Sequence, residues 1–343
     1  MKNLYKYISL SVLAAASGMT SCKNGEQDFP DYAGGTSVYF AYQYPVRTLV
    51  MGEDIYNTDL DNEHKCEIYS VSGGTYDGIS ATADFKVDES LCDNLYFDVA
   101  ATEPVKAMPQ NYYNLTANSF SYSKSQNAKI GVEFTDAFFA DPDAVKNTYV
   151  IPLLMTNVTG ADKILEGESA TSEKGALTDA SMWILQPQNF VLYCVKYISK
   201  YHAKYLRRGV DKVTYNGATT TEVRHKGVEK DEIVSTSTVS LNTVKLPVST
   251  LLADGTKVTC DLVLTFDANQ NCTITSGTDG ITASGSGKYG DKTEIKSWGG
   301  KDRDALYLNY DIDFGERQIS TADTLVLQTR GITAETFAPV YKK

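Results

Sequence analysis

The chain has 343 residues, of which 42% are apolar and 22% charged, a balance that excludes a disordered chain, a collagen-like fibre and a polytopic membrane protein. Lys and Arg number 32 against 43 Asp and Glu, a net charge of −11, so the electrostatic footprint of a nucleic-acid binder is missing. Three His and 23 Tyr make a poor composition for metal or acid–base chemistry and a good one for strands and binding surfaces.

Residues 1–21 place Lys2 and Lys6 ahead of an apolar stretch from Ile8 to Ala16, followed by the small residues Ser17, Gly18, Thr20 and Ser21. That is the pattern of a secretory signal peptide, and its apolar part is too short to span about 30 Å of hydrocarbon as a helix. Met19-Thr20-Ser21-Cys22 resembles a bacterial lipobox, with Met19 where Leu is usual. The resemblance implies a diacylglycerol on the Cys22 thiol and Cys22 as the mature N-terminus. Several acyl chains, at roughly 0.8 kcal/mol per buried methylene, anchor a protein stably without a second membrane segment. Removal of Lys2 and Lys6 with the signal takes the charge from −11 to −13. Residues 22–35 are polar and punctuated by Gly and Pro, which suits a flexible tether.

Period-two alternation runs through 79–87, 129–135, 257–267 and 306–314, and each run reads as a half-buried antiparallel strand. Gly73-Gly74, Asp254-Gly255, Asp279-Gly280 and Gly299-Gly300 supply turns between such runs. Tyr197, Tyr201 and Tyr205 recur at a helical spacing of four, but their β-branched and aromatic neighbours fit one long strand at least as well. The chain is expected to be all-β. A polar stretch low in aromatics, 161–187, is expected to link two domains. Residues 36–160 have the length and turn signals of an Ig-like β-sandwich. Residues 188–343 fit an antiparallel β-barrel, lipocalin-like, or a second sandwich. The run Ala283–Tyr289, ASGSGKY, favours the barrel, because Gly stands where a strand bends sharply. Trp183, just before the second domain, is expected to wedge the domains together.

Motifs for catalysis are missing. There is no GxSxG elbow, HExxH, GxxxxGK or GxGxxG, and His64, His202 and His225 stand in unremarkable surroundings. Two carboxylates would suffice for glycoside hydrolysis, but the acids fall mostly on polar strand faces and in loops, so no enzyme and no cofactor is expected. Asp54, Asp59, Asp61 and Glu63 could hold calcium, although His64 stands where an EF-hand requires Gly; a solvated acidic loop is the plainer reading. Five cysteines follow Cys22, namely Cys66, Cys92, Cys194, Cys260 and Cys272, with no CxxC and no zinc spacing. A turn near Asn269 would set Cys272 opposite Phe266 and not Cys260, so buried thiols are expected for most of them.

What remains is recognition. Sugars present apolar C–H faces and many hydroxyls, and their sites pair an exposed ring with amides, carboxylates or Arg. Trp298 follows a run of charged residues and precedes a glycine turn, with Arg303 and the outward series Tyr307, Asn309 and Asp311 next along the chain. These five are the candidate carbohydrate-binding residues, although a Trp that plugs a barrel end is the commoner arrangement for Trp298.

The segments VYFAYQYPVRTLVMGED (38–54), LDNEHKCEIY (60–69), AMPQNYYNL (107–115), FTDAFFADPDAVKNTYVIPLLMT (134–156), LYCVKYISKYHAKYLRRG (192–209) and SWGGKDRDALYLNYD (297–311) together resemble Bacteroidetes surface lipoproteins encoded in polysaccharide-utilisation loci, with an N-terminal Ig-like domain of unknown function. The resemblance implies a lipid-anchored, non-catalytic glycan-binding protein at the outer membrane, facing the cell exterior. It also implies a TonB-dependent transporter and its glycan-binding lipoprotein as partners. Acidic residues after the lipidated cysteine favour surface export in that group, whereas Lys23-Asn24-Gly25-Glu26 dilutes the signal here. The rival readings are a structural or adhesive protein-interaction module at the outer membrane, a barrel holding a small apolar ligand, and a hydrolase.

Overall fold

The computed structural model describes residues 30–172 and 175–343. The expected signal peptide, Cys22 and most of the tether lie outside the described residues. The described chain is all-β, and it builds a two-sheet sandwich and a closed barrel.

Nine strands carry the sandwich among the described residues: β1 (Ser37–Tyr39), β2 (Pro45–Val50), β3 (Lys65–Gly73), β4 (Ile79–Val87), β5 (Tyr113–Leu115), β6 (Ser119–Ser125), β7 (Asn127–Phe134), β8 (Tyr149–Thr159) and β9 (Phe190–Ile198). One sheet runs Lys163–Ile164, β1, β3, β7, β5, and the other runs Glu335–Thr336, β2, β9, β8, β4, β6. Alternation decides the inner faces: Ile79, Ala81, Ala83 and Phe85 of β4 are buried while Ser80, Thr82, Asp84 and Lys86 are exposed. β8 lies inside its sheet and is buried on both faces from Tyr149 to Leu153, so it reads as a continuous apolar run. β9 sends Val191, Val195 and Tyr197 into the sandwich core. Its other face packs Phe190, Leu192 and Cys194 against Leu95, Val105 and the C-terminal Phe337 and Tyr341.

The barrel strands are β10 (Lys204–Tyr215), β11 (Ala218–Val223), β12 (Glu232–Ser235), β13 (Ser237–Ser240), β14 (Thr243–Leu251), β15 (Lys257–Phe266), β16 (Asn271–Ser276), β17 (Thr282–Trp298), β18 (Lys301–Asp313) and β19 (Arg317–Thr329). Consecutive strands from β13 to β19 pair antiparallel, and β19 pairs with β10. The ring closes through one kinked segment, in which β12 pairs with β10 and β13 with β14. Thr236, at the kink, donates its N–H to the Ala203 carbonyl at 3.0 Å. Its hydroxyl accepts the Ala203 N–H at 3.0 Å and donates to the Tyr201 carbonyl at 2.7 Å. An eight-membered ring is just wide enough for side chains to fill, and Leu246, Leu262, Leu264, Leu306, Leu308 and Leu325 fill it, each contributing roughly 1.5–3 kcal/mol. Tyr201 stacks on Phe266 at one end, with ring centroids 3.6 Å apart.

The glycine run, expected to mark a bend, serves close strand approach. Gly285 of β17 leaves room for the crossing of β18, because a Cβ there would lie 2.3 Å from the Asn309 carbonyl oxygen. Cys272 pairs with Phe266 across the β15–β16 hairpin, and the five described cysteines are free thiols.

Four expectations change. The stretch 161–187 is no linker, since Lys163–Ile164 pairs with β1 and Glu168–Ser169 pairs with Trp183–Leu185. Its polarity is that of sheet edges. The strand expected to open the second domain, β9, belongs to the sandwich, pairing antiparallel with β8 and parallel with β2. The chain passes between domains at Ser199–Ala203, so Tyr197 lies in the sandwich core while Tyr201 and Tyr205 lie in the barrel core, on neither one helix nor one strand. Trp183 does not wedge the domains; its indole donates to the Ala176 carbonyl at 3.0 Å and closes its own loop.

Candidate functional site

The five expected site residues spread along the β17–β18 hairpin. Trp298 and Arg303 meet near its tip, where the Arg303 Nε donates to the Trp298 carbonyl at 3.0 Å. Gly299 and Gly300 turn the tip with φ of 61° and 67°, a region that favours glycine. Trp298 is half-buried and belongs to none of the three core clusters, so it plugs no barrel end. Tyr307 donates to Glu294 at 2.8 Å and is also 2.9 Å from the Thr293 hydroxyl. Asn309 and Asp311 lie further along the outer face, where Asp311 joins Lys212, Gln318 and Ser320 around a shallow concavity of about 360 Å³. At about 3.3 Å per residue, Arg303 and Asp311 stand roughly 26 Å apart, so the five do not form one compact site.

A larger concavity, about 500 Å³, opens where the sandwich meets the barrel end. The sandwich side is the loop after β2. Asp61 of a short helix (Asp59–Asn62) accepts the Val50 N–H at 2.9 Å and pairs with Arg47. Asn62 accepts the Gly52 N–H at 2.7 Å, and Thr58 donates to the Gly52 carbonyl at 2.7 Å. Gly52 has φ +84°, and a Cβ there would stand 2.9 Å from the Lys200 side chain. The acids of this loop therefore act singly: Asp61 on Arg47, Glu63 on Lys65 at 3.2 Å, and Asp59 on Asn57 at 2.9 Å. Among the described residues no three His, Cys, Asp or Glu are grouped to hold a metal.

The barrel side is the irregular stretch of the β17–β18 hairpin between its regular ladder, which ends at Gly290 and Ala305, and the tip that carries Trp298. Asp291 pairs with Lys200 at 2.8 Å, and Lys292 pairs with Glu53 across the domain boundary at 2.8 Å. Lys200 also lies over the Tyr289 ring, 4.8 Å from its centroid. Asp304 accepts the Tyr289 hydroxyl at 2.6 Å and the Lys292 N–H at 2.8 Å. Burial first, then the neighbouring Tyr205 and Asp304, push the Tyr289 phenol well up, so it stays a donor. Burial pushes the Asp291 carboxyl up, but the Lys200 and Gln270 bonds and the lysine charges outweigh it and hold the group below its ordinary value. An ionised Asp291 is the opposite of what a general acid requires.

Two groups face the cleft without a protein partner among the described residues. The Asn242 side chain is exposed at its rim, and the His64 ring lies on Phe139, centroids 4.1 Å apart, with both nitrogens free of hydrogen bonds. Arg330, 5% exposed, fixes the cleft from behind. It donates to the carbonyls of His202 (2.7 Å), Ser199 (2.8 Å), Met51 (3.0 Å) and Glu53 (3.2 Å), tying β19 to the crossover and to the sandwich loop. Sequence reasoning missed this cleft. Its residues come from separated segments, 51–64, 200–201, 241–242, 291–292 and 304, and His64 stands in sequence surroundings that carry no catalytic or binding motif.

One family model, described as a Domain of unknown function (DUF5627), matches residues 200–331, and another, described as a "-like, N-terminal domain", matches residues 32–162. A protein of unknown function from Bacteroides ovatus, known from its crystal structure, is 43% identical, with a TM-score of 0.86 over 91% of this chain and 100% of its own. An auxiliary nutrient binding protein from Bacteroides thetaiotaomicron is 13% identical, with a TM-score of 0.38 over 82% of this chain and 90% of its own, which carries nothing about function. No curated protein matches.

Proposed function

This chain belongs to the same family as the 43%-identical Bacteroides ovatus protein, and we propose that it is a non-catalytic glycan-binding protein whose ligand occupies the cleft between sandwich and barrel. The supporting observation is a concavity of about 500 Å³ whose walls carry charged groups already fixed by ion pairs, beside the Asn62 and Asn242 amides. Such walls suit a polyhydroxylated ligand, because each hydroxyl finds an oriented partner, whereas an apolar ligand would strand them. The barrel interior, by contrast, is filled by its own side chains. Trp298, the last residue of β17, pairs with Lys301 three residues before Asp304 on β18, and can extend the contact onto a sugar face. The lipobox-like Met19–Cys22 supports a lipid anchor, and the resemblance supports an outer-membrane position facing the cell exterior, beside a transporter.

One observation favours protein contact as a second reading. β11 pairs with β10 alone, all six of its residues are exposed, and it carries neither Pro nor Lys to protect its edge. Protein lacking residues 1–22, run through affinity gels containing a panel of polysaccharides, separates the two. Retardation by at least one glycan is expected. No retardation, together with recovery of a protein partner that a Thr220→Pro variant of β11 loses, would replace glycan binding by the adhesive role.

A further inference from the structure

Given glycan binding in the cleft, the arrangement of charge there goes further and defines which glycans it takes. We infer that Asp304, with Asn242 and His64, recognises uncharged sugar hydroxyls, and that the cleft rejects glycans bearing carboxylate or sulfate. The cleft holds three carboxylates, Glu53, Asp291 and Asp304, and two ammonium groups, Lys200 and Lys292. Each ammonium is already within 2.8 Å of a carboxylate, Lys200 on Asp291 and Lys292 on Glu53. An arriving anion finds no cation without a partner. It meets Asp304, which among the described residues pairs with no cation and is held instead by two neutral donors, the Tyr289 hydroxyl and the Lys292 N–H.

Those two bonds use one acceptor site on each Asp304 oxygen and leave the others open to hydroxyl donors. Neighbouring hydroxyls of a sugar ring are donors that a carboxylate accepts in charge-assisted bonds. Asn242 offers both a donor and an acceptor, and His64 offers one of each in its neutral form. This set matches hydroxyls. It cannot neutralise a uronate or sulfate, which would sit among like charges on a chain whose net charge is already −11.

An array of oligosaccharides in matched neutral and uronate- or sulfate-bearing pairs tests the inference, with the protein lacking residues 1–22 as probe. Every hit is expected to be a neutral member, bound with less than a twofold change between 50 and 500 mM salt, since no ion pair forms on binding. Asp304→Asn keeps the shape, and is expected to weaken a neutral hit at least tenfold and to narrow the gap to its acidic partner. Ser320→Ala on the outer face should change neither. An acidic glycan bound as well as its neutral partner would overturn the inference while glycan binding stood. Silence across the whole array would remove both.

Discussion

Replacing Arg330 with Met keeps the length of the side chain and removes its donors. The guanidinium makes four hydrogen bonds to carbonyls, of which those to Met51 and Ser199 are buried and those to Glu53 and His202 partly wetted. Water can replace the wetted pair, so the loss falls on the two buried bonds. A hydrogen bond to a charged group contributes about 1.5–3 kcal/mol, which puts the destabilisation at about 3–6 kcal/mol. For domains of this size each kcal/mol shifts the melting temperature by about 2–4 °C, so calorimetry should show a fall of roughly 6–24 °C. Arg330→Lys should recover only part, because an ammonium cannot reproduce the planar fork that reaches four acceptors. The bonds to Met51 and Glu53 cross the domain boundary, so glycan affinity should fall in variants that are still folded. Melting of Arg330→Met within 2 °C of the parent would refute the account of this residue as the tie between domains.

Three further outcomes are expected. Burial, with the charges of Arg330 and Lys196 adding, pushes the His202 imidazole down to about 4, and its Nδ1 accepts the Thr238 N–H at 3.2 Å. The folded state therefore resists protonation; this stability is complete above the unfolded value near 6.5 and lost as pH falls from there to about 4, in total about 3 kcal/mol, so urea titrations of His202→Asn should lack that slope. Gly285→Ala should cost about 1–3 kcal/mol in the same titration, because the added Cβ meets the Asn309 carbonyl and Tyr310 Cα, and no loss would mean that β17 can move away from β18. Trp298→Ala should shift stability by less than about 1 kcal/mol, since the ring lies outside all three core clusters; a larger loss would show that it packs a core after all.

Much of the fold is legible in the chain because β-strand burial has a period of two. The run 79–87 reads directly as β4, and the polar turn near Asn269 sets Cys272 opposite Phe266 as counted. The glycines of β17 stood out in sequence as the mark of a bend, whereas Gly285 serves the close approach of β18, where a Cβ would not fit. The domain boundary was not. Edge segments such as Lys163–Ile164 are polar because one side meets solvent, and in sequence they look like linker. The true crossover, Ser199–Ala203, is packed between two cores and carries Tyr201 and His202, so it looks like strand. The expected site failed to gather for a related reason. Tyr307, Asn309 and Asp311 share a face by alternation, but a strand places them in a line. The cleft needs Gly52, His64, Lys200, Asn242 and Asp304 brought together from distant segments, and spacing along a chain carries no trace of that.

The central claim, that the cleft and not the outer barrel face holds the ligand, is tested most directly by isothermal titration of one retarding glycan into paired variants. His64→Ala and Asn242→Ala should each weaken binding about tenfold or more, while Asn309→Ala and Asp311→Ala leave it within twofold. Loss of binding in the outer-face pair with the cleft pair unchanged would contradict the account.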